Sequence, residues 1–474
     1  MKCLFCTSEA RPFAASGGLA DVSGSLPQAL RQRLIGCRIV MPLYEEVPEE
    51  FRENMKFVTS LSVPVSWRRQ YCGVFEARHG GVIYYLLDNQ YYFKRQGLYG
   101  HYDDAERFAF LSRAALEMLP YIDFKPDIIH CNDWQTALVP VYYSLFYAGN
   151  EWFEGIKTVF TIHNIQYQGK YGDEILEDVL GIPSSQRQLL EFDGCINLMK
   201  GAIEAANAVT TVSPTYAGEI LDPWYSHGLD PILRARGWKV SGILNGIDVG
   251  SYDPETDPDI FLNYSAENPA GKAENKRALQ ERLGLEQRPD VPMIGMVTRM
   301  VAHKGLDLVK EVFCELLDTQ DVQFVILGSG DWEYESFFKA MQEKYPGRMC
   351  ACFGFVPELS RKIYAGSDIF LMPSKSEPCG LSQMIALRYG SIPVVRETGG
   401  LKDSISDSGD GVGNGFTFQT YNARDMLYAV SRALEGYRNP EGWALLVERA
   451  MQCDNSWGRS ANEYIRLYKS LAKD

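Results

Sequence analysis

Short apolar runs alternate with amphipathic stretches of helical period along the chain, and the alternation predicts strands and helices in turn. The first run, residues 3–7, is followed by a glycine-containing loop and an amphipathic segment over 19–34. Further strands are predicted over 38–42, 82–87, 127–131, 158–162 and 208–212, with a helix over 134–147. After Asn245-Gly246-Ile247-Asp248 comes a polar, proline-bearing stretch, 251–271, which reads as a connection. A second series of strands follows over 292–298, 323–328, 349–354, 369–372 and 392–395. The expected fold class is α/β, with two doubly wound domains in series. The expected bounds are 1–243, 244–456 and a closing segment 457–474. In such sheets ligands bind beyond the carboxyl ends of the strands, so two domains facing a cleft would carry their site on those ends.

Composition narrows the partners. A chain of 474 residues with 46% hydrophobic and 23% charged positions has the makeup of ordinary globular proteins, so function belongs in folded sites. A formal net charge of -14, without any block of five or more Lys/Arg, argues against nucleic acid or an anionic membrane as the main partner. An anionic substrate then requires local cations and helix N-termini. The chain reaches Glu9 too early for a secretory signal, and no run approaches the ~18 apolar residues of a membrane span, so a cytoplasmic location is expected. Eleven scattered cysteines suit a reducing compartment. Cys3 and Cys6 would face opposite sides of a strand, whereas Cys350 and Cys352 share a face but lack a second pair. Neither spacing reads as a metal site.

Four glycine-bearing turns fall at predicted strand ends. Ser16-Gly17-Gly18-Leu19 opens the first helix, where small residues would let an anion approach backbone N–H donors, although glycine there also suits a tight turn. Arg299 and Lys304 place two cations after the first strand of the second domain, as stabilising a leaving diphosphate requires. In Ser376-Glu377-Pro378-Cys379-Gly380-Leu381, Pro378 suits the first helical position, which makes Glu377 the expected N-cap and the amides of Cys379 and Gly380 donors to sugar hydroxyls. Thr398-Gly399-Gly400-Leu401 leads into another helix, whose N-terminus is expected to hold the same diphosphate. Turn chemistry explains each turn singly; together they indicate a binding cleft.

The order of motifs resembles the bacterial glycogen synthases and plastid starch synthases over essentially the whole chain. The resemblance runs through Gly-Gly-Leu-Ala-Asp-Val at 17–22, Cys-Asn-Asp-Trp at 131–134, Phe-Thr-Ile-His-Asn-Ile at 160–165, Val-Ser-Pro-Thr-Tyr-Ala at 212–217 and Leu-Asn-Gly-Ile-Asp at 244–248. It continues through Thr-Arg-Met at 298–300, Lys-Gly at 304–305, Glu-Pro-Cys-Gly-Leu at 377–381 and Thr-Gly-Gly-Leu at 398–401.

The resemblance implies two Rossmann-like domains of the GT-B glycosyltransferase fold, the first on the acceptor side and the second on the donor side. A last helix returns to the first domain. It implies transfer of glucose from ADP-glucose to the nonreducing end of an α-1,4-glucan with retention of configuration, with no cofactor and no metal. Arg299 and Lys304 would hold the diphosphate. Glu377 would bind the donor glucose and help stabilise charge at the reacting carbon, and His163 would bind the sugar rather than transfer a proton. Gly17, Gly18, Asp21, Asn245, Cys379, Gly380, Thr398, Gly399 and Gly400 are implied on the donor side, with Phe355 near the adenine or in the core. Asp133, Trp134 and Tyr91 are implied on the acceptor side. Asp133 and Trp134 also read as a helix N-cap and a packing aromatic.

Two positions depart from the family pattern. The lysine usual two residues before the paired glycines is Ala15, with Arg11 as the nearest candidate to cover the lost cation, and the aromatic usual before Glu-Pro-Cys-Gly is Ser376. Readings that stay open are a UDP-glucose-using or small-acceptor retaining glycosyltransferase and a catalytically weak glucan-binding regulatory protein.

Overall fold

The computed structural model of the protein describes residues 1–472. The chain forms two units, one comprising Met1–Gly246 with the segment from Trp457 onward, the other Ile247–Ser456. The change of unit after Gly246 falls three residues beyond the expected bound and leaves Asn245 in the first unit.

The strands of the first unit are β1 (Lys2–Cys6), β2 (Gly36–Pro42), β3 (Lys56–Val65), β4 (Arg68–His79), β5 (Val82–Asp88), β6 (Ile128–Asn132), β7 (Lys157–Ile162), β8 (Lys170–Tyr171), β9 (Glu191–Phe192), β10 (Cys195–Asn197), β11 (Ala208–Thr211) and β12 (Val240–Gly242). Nine of them make one sheet in the order β12-β11-β7-β6-β1-β2-β5-β4-β3, and β8-β10-β9 make a small antiparallel one. The large sheet is parallel from β12 to β5, and its inner strands are buried along nearly their whole length. That burial on both faces is why they read as unbroken apolar runs. The antiparallel hairpin β3–β4 was absent from the expected strands, because one of its faces is solvated and its polar residues interrupt any apolar run. From β1 the chain steps outward to β2 and β5, then returns to β6 on the other side, so the topological switch lies between β1 and β6.

The helix Gly18–Gln32 buries Leu19, Val22, Leu26 and Leu30. It packs against the terminal helix Trp457–Leu471, in which Tyr464 and Tyr468 are buried. Arg33 Nε donates to Asn462 Oδ1 at 2.9 Å, and the Tyr468 hydroxyl meets His130 Nδ1 at 2.6 Å. The last helix therefore belongs to the first unit. The helix expected over 134–147 changes pitch, from a 3₁₀ turn (Trp134–Thr136) through an α segment (Leu138–Tyr142) to a π turn (Tyr143–Tyr147).

In the second unit, β13 (Met293–Val297), β14 (Gln323–Gly328), β15 (Met349–Phe353), β16 (Ile369–Met372), β17 (Ile392–Arg396) and β18 (Phe416–Phe418) form an all-parallel sheet in the order β15-β14-β13-β16-β17-β18. This is the Rossmann strand order, with its switch between β13 and β16. The three-residue β18 is too short to show as a period. The stretch 251–271 is no free connection. Asp257 is buried and accepts from Arg361 Nη1 at 2.9 Å and from the Tyr389 hydroxyl, while Tyr264 donates its hydroxyl to the Tyr389 carbonyl at 2.7 Å.

Candidate active site

In the second unit the site grows from the switch point. Beyond β13 the chain passes Arg299 and makes a 3₁₀ turn, Ala302–Lys304, that ends on Gly305 at φ 76°. A Cβ on Gly305 would lie 2.0 Å from the Pro373 carbonyl oxygen, so only glycine lets this turn seat against the chain leaving β16. Lys375 N–H donates to the His303 carbonyl at 2.9 Å and locks the seating. The consequence is that Lys304 Nζ stands 2.6 Å from Glu377 Oε2, which also accepts from Ser374 Oγ at 3.0 Å. Glu377 is only 7% exposed. Burial pushes its carboxyl up, but Lys304, the Ser374 hydroxyl and nearby His303 outweigh burial and hold it below the usual carboxylate range. The pair is thus a buried carboxylate kept ionised by a fixed ammonium.

Glu377 is not the N-cap expected from Pro378. The helix begins at Ser382 with Leu381 in the cap position, and Glu377–Gly380 form a loop before it. Gly380 sits at φ 67°, and Gln383 Nε2 donates to the carbonyls of Cys379 at 3.1 Å and Gly380 at 2.9 Å. The turn at Thr398 does lead into a helix, Gly399–Ser404, but it buttresses the Glu377 loop. Gly399 lies at φ 45°, and a Cβ there would be 1.9 Å from the Glu377 carbonyl oxygen. The Gly400 amide donates to the carbonyls of Glu377 at 3.2 Å and Pro378 at 3.1 Å, so it is committed within the protein rather than left for a diphosphate. Lys304, Glu377, Cys379, Gly380, Gly399 and Gly400 therefore form one packed layer. Arg299 is exposed at the adjoining strand end, and among the described residues its guanidinium has no hydrogen-bond or ion-pair partner. Phe355 follows Gly354 beyond β15 and is 84% exposed, which corrects the core reading.

In the first unit the residues gather at the β1/β6 switch. Ser16 N–H donates to Glu9 Oε2 at 2.5 Å, tying down the turn that carries Ala15, and burial raises the Glu9 carboxyl. Apart from chain neighbours and the helix's own backbone, no atom lies within 4 Å of where a Cβ would stand on Gly17 or Gly18, and the helix they open has no side-chain cap. Arg11 Nε lies 2.5 Å from Asp21 Oδ1, so the cation nearest Ala15 is already paired.

At the end of β6, the Asn132 amide nitrogen donates to the Cys6 carbonyl at 2.9 Å, which turns its Oδ1 toward His163 Nε2, also at 2.9 Å. Nε2 therefore carries the ring proton, and burial lowers His163 to about 3, leaving a neutral imidazole. Asp133 stands at φ 55° and does not cap the following turn. Its Oδ1 accepts from the amides of His163 at 2.7 Å and Asn164 at 3.3 Å. Burial raises this carboxyl to about 7 against those two donors. Trp134 is buried between Phe108 and Tyr171 and borders a cavity of about 450 Å³ that Tyr167, Gly169, Lys170 and His227 also line. Tyr91 is 62% exposed and packs its ring edge on buried Tyr92. Asn245 is buried, with Oδ1 lacking a hydrogen-bond partner.

Asn132, His303, Ser374, Glu9 and Gln383 went unassigned in the sequence. Asn132 lies inside a quoted motif and His303 directly precedes one, but their roles depend on partners distant in the chain. Ser374 and Gln383 carry no local signal. Among the described residues no group of three or more His, Cys, Asp or Glu side chains is placed to hold a metal, and no helix is long and apolar enough to cross a membrane.

Two doubly wound units with strand-end sites of this kind define a glycosyltransferase architecture, and comparison with known proteins agrees. Residues 2–235 match the family described as starch synthase catalytic domain, and residues 280–444 match glycosyl transferases group 1. The glycogen synthase of Geobacillus thermodenitrificans is 54% identical across 100% of this chain and 98% of its own length. That of Desulforamulus reducens is 50% identical across 99% of both. The catalytic domain of starch synthase IV from Arabidopsis thaliana, solved bound to ADP and acarbose, superposes with a TM-score of 0.92 at 36% identity, covering 100% of this chain and 99% of that one. A sucrose-phosphate synthase from Thermosynechococcus elongatus, at 15% identity and TM-score 0.62 over 99% of this chain and 98% of its own, shares the fold. The chain belongs to the glycogen and starch synthase family of glycosyltransferases.

Proposed function

We propose that the protein transfers glucose from ADP-glucose to the nonreducing end of an α-1,4-glucan, with retention of configuration and release of ADP. The observation that carries the reading is the buried Lys304–Glu377 pair at the β13/β16 switch. The starch synthase IV catalytic domain, bound to ADP and acarbose, supports it. Breaking the bond from glucose to the diphosphate builds negative charge on the leaving group and positive charge at the anomeric carbon. Lys304 and Arg299 are assigned to the first, as preorganised cations. Glu377 is assigned to donor-glucose binding and to the second, and its ionised state suits that role. His163, neutral and held by Asn132, is assigned to sugar binding. Gly17, Gly18, Asp21 and Asn245 are assigned to the donor, as are Cys379 and Gly380 through their loop. Thr398, Gly399 and Gly400 support that loop. Asp133, Trp134 and Tyr91 are assigned to the acceptor, with the cavity beside Trp134 as the place for glucan rings.

UDP-glucose as donor stays open because Ala15 stands where the family has lysine, and Arg11, the nearest cation, is paired with Asp21. Incorporation of labelled glucose into maltooligosaccharides, with ADP-glucose and UDP-glucose run in parallel, decides between them. Incorporation from ADP-glucose at the higher kcat/KM supports the proposal, preference for UDP-glucose replaces the donor, and no incorporation from either removes the activity.

A further inference from the structure

Cys350 and Cys352 lie two residues apart on β15, an edge strand of its sheet that pairs with β14. Their side chains share a face. The two sulfurs are 3.8 Å apart, and both residues are partly buried, packed beside the core cluster of Leu279, Leu285 and Leu359 yet less enclosed than fully buried Cys3, Cys37 and Cys131. We propose that this pair is a redox modification site: a dithiol that reacts with a small disulfide and closes into an intrastrand disulfide.

The chemistry is that of thiol–disulfide exchange. The Cys350 thiol, hydrogen-bonded to the Cys352 sulfur, together with nearby Arg282, holds the Cys352 thiol below its ordinary range, whereas Cys350 is pushed up. Cys352 is therefore the attacking sulfur. Its thiolate attacks one sulfur of RSSR, forming the mixed disulfide Cys352–S–S–R and expelling RS⁻, which takes up a proton. The Cys350 thiol loses its proton and attacks the Cys352 sulfur, expelling the second RS⁻. The two cysteines are oxidised by two electrons and RSSR is reduced to two RSH.

Residues i and i+2 of a strand are about 6.4–6.8 Å apart at Cα, near the upper limit that a disulfide spans. Closure therefore requires β15 to pucker. An edge strand can do so at the cost of its ladder with β14, and Gly354, at φ 111°, follows directly. A bond closed under that strain is readily reduced again, as a reversible modification needs.

The pucker has a route to the donor side. Cys352 pairs with Leu327, whose carbonyl accepts from Thr298 N–H at 3.0 Å, and Arg299 is the next residue. Gly354 N–H donates to the Gly328 carbonyl at 3.1 Å, and a Cβ on Gly328 would sit 1.8 Å from the Thr298 carbonyl oxygen, so this corner has little slack. Oxidation should then weaken donor binding, a consequence that rests on the donor role proposed for Arg299.

The test uses the full chain treated with oxidised glutathione and mapped by mass spectrometry after alkylation. The peptide holding both cysteines should become two hydrogens lighter and resist alkylation, and dithiothreitol should reverse this. In Cys350→Ser the reaction should stop at the glutathione adduct on Cys352. Unchanged alkylation of both cysteines in the unaltered protein overturns the site, with no reliance on how the variants fold. The KM for the donor should rise about fivefold or more on oxidation, with no rise in Cys352→Ser. A disulfide that forms without moving KM overturns the coupling to β13, whereas lack of turnover in the reduced protein overturns the proposed activity and leaves the mapping result standing.

Discussion

Burial alone raises a carboxyl at Glu377's depth, and a small number of partners hold it below the usual carboxylate range instead. Removing the carboxylate should lower kcat about 10²–10³-fold, as loss of one preorganised electrostatic group does. Glu397 lies only twenty residues on and accepts from Thr417 Oγ1 at 2.8 Å, yet it is no part of the pair, so Glu397→Ala should retain most activity. Steady-state kinetics of the two alanine variants checks this, and equal losses would remove Glu377 from its role. Ser374→Ala deletes one hydrogen bond to the same carboxylate and should cost about tenfold in kcat/KM. Ala15→Lys restores a cation beside a helix start with no side-chain cap and should tighten ADP-glucose binding about tenfold, measured as a dissociation constant. Glu377, Lys304 and Arg299 were legible as candidates from their motifs. Ser374 and Asn132 were not, because a serine or asparagine acquires its role only from partners that folding brings to it.

Turns, more than the regular elements, set the site's precision. A methyl group on Gly399 would overlap the Glu377 carbonyl oxygen in a left-handed conformation that alanine rarely adopts. Gly399→Ala should therefore destabilise the second unit by about 2 kcal/mol or more and displace Glu377. A lower thermal midpoint together with lost activity is the expected result. Asp133 offers a sharper contrast, since asparagine has nearly the same shape and keeps an oxygen for the His163 and Asn164 amides. Asp133→Asn should keep the midpoint nearly unchanged, whereas Asp133→Ala should lower stability by about 1–3 kcal/mol by leaving those donors unmet and straining the backbone. Element order was readable because buried parallel strands are apolar throughout. The N-cap assigned to Glu377 was misread because a proline marks a possible helix start and the tertiary loop delays it to Ser382.

At the scale of the whole molecule, His130 joins both ends of the first unit's chain. Its ring lies between Tyr468 of the terminal helix and Thr161 of β7, fully buried, and burial lowers it to about 3. The unfolded value is about 6.5, so between pH 6.5 and 3 the unfolded chain binds a proton that the folded one refuses. Stability should fall as pH drops through that window, by about 2 kcal/mol at pH 5 from this group alone. Urea midpoints at pH 7 and pH 5 measure the fall, and His130→Gln should show a smaller one.

The periodic pattern by itself determined two doubly wound units and their strand ends, because burial on both sheet faces writes itself locally along each strand. Tertiary structure alone decided that Lys304 meets Glu377, that Gly400 braces a loop instead of waiting for an anion, and that residues 251–271 dock with Tyr389. Each of those outcomes depends on the close approach of segments far apart in the chain, and no local period records such an approach.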